Sequence, residues 1–214
     1  MSNKKFFFIL AAIALIFLYK LATNPSGVKV SESFRSSQDP VQEEVSSAQD
    51  SAFQIEASSY RWTVTPKAQY RIAARVLSAE RYHTGWQSTL SPVDLALGWG
   101  DLNSQKVDQW ISWRQDERWY FYNWTGGSPY QEEYIVSHSA NTHIIPATKN
   151  VEEAALRVDR NDQILLEGLL VDVDGGKTNE TYWWHSSLSR DDTGDGSCEL
   201  LYLKRLVTGG KEYR

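Results

Sequence analysis

A single cysteine, Cys198, among 214 residues excludes an intrachain disulfide framework and any cysteine-based zinc finger. Positive charge is also in deficit. Lys and Arg total 22 against 27 Asp and Glu, giving a net charge of −5 and a pI near 5.4. A dedicated nucleic-acid binder needs a basic surface to displace counterions, so that class is excluded. No fixed-period repeat occurs, which argues against a propeller or solenoid. No G-x-S-x-G, Walker A or dinucleotide fingerprint is present, so no cofactor is implied. What the chain does have is 41% hydrophobic and 13% aromatic residues, enough apolar material for a packed core.

The organisation predicted from composition has four parts. Residues 1–5 form a cytoplasmic N-terminus, 6–22 a transmembrane signal-anchor, 23–58 a flexible stalk, and 59–214 an extracytoplasmic β-rich domain. From Phe6 to Tyr19 runs FFFILAAIALIFLY, uncharged throughout. Extended through Ala22, this run spans about 25 Å as a helix, the short end of what crosses a bilayer core. Lys20 reaches headgroups by snorkelling, and Lys4 and Lys5 mark the cytoplasmic side. A cleaved signal peptide is the competing reading. Cutting after Ala22, however, places Lys20 where a small residue belongs. The next stretch is rich in Ser, Gln, Glu and Asp and buries too little apolar area to offset its ordering entropy, hence the stalk.

All nine tryptophans follow Tyr60. Candidate strands are Tyr60–Val64, Tyr70–Leu77, Val93–Trp99, Trp119–Trp124, Gln163–Val173 and Glu199–Val207, read from alternation and aromatic enrichment. Two short helices are expected, over Ser104–Ile111 and Val151–Val158, the second capped by Asn150. The expected fold is therefore an N-terminal transmembrane helix followed by a mainly β domain. That domain is a small barrel, OB-like or SH3-like, or a sandwich, with Gly168 allowing a bent strand.

Four features carry candidate chemistry. Asp191, Thr193 and Asp195 with Gly196 match the early positions of an EF-hand loop, but Tyr202 stands where the bidentate Glu belongs, and a polar turn is the competing reading. Cys198 follows that turn. With His143 or His138, both expected in the loop HSANTHIIPA, it has the ingredients of a thiol nucleophile and base, against a buried structural cysteine. His83, His138, His143 and His185 could supply metal ligands, but His138 and His143, five apart in a loop, lack the helical spacing of zincins. Of Trp183 and Trp184, adjacent in a strand, one must point outward and could stack on a sugar ring.

The stretches SPVDLALGWGDL (Ser91–Leu102), ERWYFY (Glu117–Tyr122), HSANTHIIPA (His138–Ala147), LLEGLLVDV (Leu165–Val173) and SLSRDDTGDGSCELLYL (Ser187–Leu203) resemble an uncharacterised group of bacterial membrane-anchored proteins. The resemblance implies a bacterial inner membrane with the domain on the periplasmic or outer side. It implies no activity, cofactor or catalytic residue. The expected function is a non-enzymatic binding or accessory module whose partner is another envelope protein or a glycan. A membrane-tethered Cys–His hydrolase and a calcium-stabilised glycan-binding domain are the alternatives.

Overall fold

A computed structural model describes residues 24–34, 36–46, 51–189 and 197–214. The apolar run 6–22 lies outside them, and among the described residues no helix is long and apolar enough to cross a membrane. The described chain is mainly β, with two short α-helices. In order, its elements are β1 (Val28–Lys29), β2 (Val41–Glu44), β3 (Phe53–Ala57), β4 (Tyr60–Arg81), β5 (Val93–Gly98), β6 (Ile111–Asp116), β7 (Trp119–Trp124), α1 (Glu132–Ser137), β8 (Ser139–Pro146), α2 (Lys149–Ala155), β9 (Gln163–Lys177), β10 (Glu180–His185), β11 (Glu199–Thr208) and β12 (Lys211–Tyr213).

Five strands hydrogen-bond in a closed circuit. β4 pairs with β5, β5 with β8, β8 with β11, β11 with β9, and β9 returns to β4. Only the β8–β11 pairing in this circuit is parallel. One face of each strand fills a common core that includes Ile72, Val76, Leu95, Leu97, Ile144, Leu166 and Leu203, and α2 adds Val151 and Ala154. A closed circuit leaves no unpaired edge among these strands.

β4 spans both expected segments, Tyr60–Val64 and Tyr70–Leu77, as a single 22-residue strand. Pro66, which suggests a break, sits at a register shift between Pro66 and Ala68, the kind of position where a missing donor is tolerated. At Gly168 the β9 backbone runs close against β11. A Cβ there would lie 2.1 Å from the Tyr202 carbonyl oxygen, so only glycine fits.

The helices depart from expectation. Residues 104–111 form a short 3-10 segment, Gln105–Gln109, ahead of β6. α1 arises instead at Glu132–Ser137. α2 begins two residues before the expected start, and its cap is not Asn150 but Thr148, whose hydroxyl accepts from the Val151 N–H at 3.2 Å. Asn150 instead joins two segments distant in sequence. Its side chain accepts from Ser26 N–H at 2.7 Å and donates to the Arg214 carbonyl at 2.9 Å.

The polar segment expected as a stalk lies along the domain wherever it is described. β1 pairs with β12, while β2 and β3 pair with β4. Glu32 contacts Arg205 and lies 3.4 Å from Arg71. The Trp99 indole N–H donates to Asp39 at 3.1 Å, and Gly100 N–H to the Ser36 carbonyl at 3.1 Å. Polar pairing holds this segment together with a few apolar contacts, Val45, Phe53 and Ile55 packing against the core.

Candidate functional site

The polar centre of the molecule lies on the outer faces of β5 and β8. Successive side chains of a strand alternate faces, so with Val93, Leu95 and Leu97 in the core, Asp94 and Ala96 point away from it. Asp94 is directly opposite His143 on β8. The carboxylate is fully buried and the imidazole 2% exposed, with His143 Nδ1 2.9 Å from Asp94 Oδ2.

The charge on Asp94 is met by Arg118, which reaches in from the β6–β7 hairpin. One guanidinium nitrogen donates to Asp94 Oδ1 at 2.7 Å and another to the Ser91 carbonyl at 3.0 Å. The guanidinium lies 3.7 Å over the Tyr82 ring and 5.5 Å from that of Trp184, which is itself 4.5 Å from the His143 ring. Burial, followed by the nearby Asp94 charge, pushes the Tyr82 hydroxyl pKa up.

The hairpin can deliver Arg118 because its turn is two residues long. Asp116 pairs with Trp119, leaving Glu117 and Arg118 at φ 48° and 73°. Both angles lie in the left-handed region usually occupied by Asn-Gly. The tip is fastened by Asn141, whose Nδ2 donates to the Arg118 carbonyl at 2.8 Å while its Oδ1 accepts from Gln115 at 2.8 Å. Beneath, Tyr120 shares a 3.2 Å hydrogen bond with Ser139, and burial pushes its pKa up to about 12.

Cys198 reaches this face. In the parallel register Glu199 lies opposite Thr142, which places Cys198 beside Asn141, and the Asn141 Nδ2 lies 3.7 Å from the Cys198 Sγ. The thiol is half-buried. His143 shares the outer face of β8 with Asn141, two residues along. His143 was expected in a loop and instead sits inside β8, directly across from Asp94, with Asn141 hydrogen-bonded to the hairpin tip and no turn residue between them.

Trp184 joins this cluster, and His138, Trp183 and His185 do not. His138 precedes β8 and is five residues, about 16 Å, from His143 along the strand. Its ring stacks on Tyr134 at 3.9 Å, with Nδ1 2.9 Å from Ser137 Oγ. Trp183 is 71% exposed, whereas Trp184 packs inward with Trp86 and His143. His185 Nε2 lies 3.3 Å from Asp174. Asp191, Thr193 and Asp195 fall outside the described residues. Among the described residues no group of three or more His, Cys, Asp or Glu could hold a metal ion.

Sequence reasoning missed Asp94 and Arg118. Asp94 reads as the polar half of an alternating strand, and Asp-Glu-Arg-Trp carries no glycine or asparagine to mark a two-residue turn. The aromatic run Trp119–Tyr122, set against Ile111 and Trp113 before the charged Asp-Glu-Arg, was the available signal of a hairpin. No family model, curated protein or solved structure matches the chain.

Proposed function

We propose that the chain is a single-pass protein of the bacterial inner membrane whose extracytoplasmic domain is an OB-type barrel that binds rather than catalyses. The observation that carries this reading is the strand circuit. Numbered along the chain, its five strands close in the order 1-2-3-5-4, with α2 between the third and the fourth. Barrels of this type take extended ligands against their second and third strands and the loops beside them. Here those strands are β5 and β8, whose outer face lies buried under the β6–β7 hairpin, so the ligand-facing part of the reading is the adjoining loop between β4 and β5, with the aromatic side chains of Tyr82 and Trp86 beside Trp184. The net negative charge favours a glycan or an envelope protein over a polynucleotide. The test uses the full chain in detergent. Retention on peptidoglycan, or recovery of a partner after mild crosslinking, supports the reading, and failure of both removes it.

One observation favours a second reading, a membrane-tethered thiol hydrolase. The Asp94–His143 contact at 2.9 Å lies on the same face as Cys198. In that reading Cys198 is the nucleophile, His143 its base, and Asp94 orients the imidazole. Alkylation of the native chain across a pH series decides it. Slow modification with an ordinary thiol titration excludes an activated nucleophile.

A further inference from the structure

We infer that the β1–β12 edge of the domain rests on the anionic headgroups of the membrane that holds the anchor. The inference builds on the anchor proposed above. It starts from covalent reach. Ser26 is fixed to Asn150, so only three residues separate it from Ala22, the end of the apolar run. The four steps from Ala22 to Ser26 span at most about 14 Å. A 36-residue coil would have let the domain wander; this tether holds one edge against the bilayer.

The chemistry of that edge fits a negatively charged surface. Lys29 of β1 and Lys211 of β12 are direct cross-strand partners. Like charges in that position repel, and among the described residues neither has a carboxylate within ion-pair distance. The other charges nearby are already matched: Lys149 with Glu152 and Glu153, and Glu212 with Arg205 and Arg214. Val28, 69% exposed, stands beside Lys29 with no apolar cover. An anionic lipid surface relieves the lysine repulsion and takes the valine into its boundary.

This docking fixes the orientation of the domain. Lys211 is level with Ile164 through their common partner Thr208, while Trp183 is opposite Asp174, ten residues farther along β9. Along the strand that is up to about 33 Å. The exposed indole is thus carried to the end away from the lipid.

The test places an environment-sensitive fluorophore on Val28→Cys or, as the distal reference, on Thr178→Cys, in a Cys198→Ser chain reconstituted into phosphatidylcholine vesicles with or without phosphatidylglycerol. The expected result is that a headgroup quencher extinguishes more than half the emission at position 28 and little at 178, only with phosphatidylglycerol, and less at high salt. Replacing both lysines by glutamine should lower the docked-to-undocked ratio roughly thirtyfold, equivalent to about 1 kcal/mol per lysine. Amide exchange on the unsubstituted chain, slowed at residues 27–30 and 209–213 by phosphatidylglycerol, gives the same answer should Cys198→Ser not fold. A chain that fails to float with vesicles overturns the anchor and the docking with it. A chain that floats, but with equal quenching at both positions and no lipid-dependent exchange, overturns the docking alone.

Discussion

Arg118 combines an unfavourable backbone conformation with the neutralisation of a fully buried carboxylate, so its side chain must be worth more than the left-handed turn costs. Removing it leaves Asp94 buried without its strongest partner. Arg118→Ala should lower the unfolding free energy by roughly 3–5 kcal/mol in urea titrations. Adding Asp94→Asn should recover part of that loss, since the stranded charge is then gone. Tyr120 sets a second limit. Its folded pKa of about 12 lies above the unfolded value of about 10, so its contribution to stability is complete below about pH 10 and is lost as pH rises toward 12. Tyr120→Phe should therefore flatten the alkaline fall in stability, measured by urea midpoints across that window. His143 and Cys198 were legible in the sequence as reactive residue types. Their neighbours were not, because Asp94 is brought opposite His143 by strand pairing between positions 49 apart in the chain.

At the scale of elements, strands announced by alternating or continuous apolar runs, such as Val93–Gly98 and Trp119–Trp124, are found within a residue of where periodicity places them. Elements governed by a single charged contact are less visible. The 3-10 segment Gln105–Gln109 is clamped to β4 by Asp108, which accepts two hydrogen bonds from the fully buried Arg75 at 3.0 Å and lies 3.1 Å from Arg160. Burial raises the Asp108 pKa, but Arg75 and Arg160 outweigh it, leaving the carboxyl below its usual range. A depressed carboxylate stabilises fully above its unfolded pKa of about 3.9, and that stability is lost as pH falls through the lower folded value. Wild type should exceed Asp108→Asn in stability at neutral pH, and the gap should close in strong acid, as read by thermal melts across an acid series.

Across the whole molecule, polar pairing determines where the segment before β3 lies. Glu32 on Arg205 and Arg71, Asp39 on Trp99, and Ser26 on Asn150 fasten it at three separate places. Trp99→Phe keeps most of the apolar volume and deletes the indole donor. It should speed amide exchange at residues 36–46 while leaving the β5 and β9 cores protected. Loss of protection in those cores as well would mean that Trp99 supports the barrel and not the segment alone.

Composition and periodicity by themselves determined that the chain is mainly β and where most core strands run. Both follow from local chemistry, alternation and aromatic enrichment, whereas the need for glycine at 168 is set by the Tyr202 carbonyl of a distant strand. The closed circuit of five strands, the Asp94–His143–Arg118 cluster and the course of residues 24–34 and 36–46 were decided only by the tertiary structure. Those features depend on which distant groups meet, and a buried charge or a polar segment is stabilised by its partner in space rather than by its neighbours along the chain.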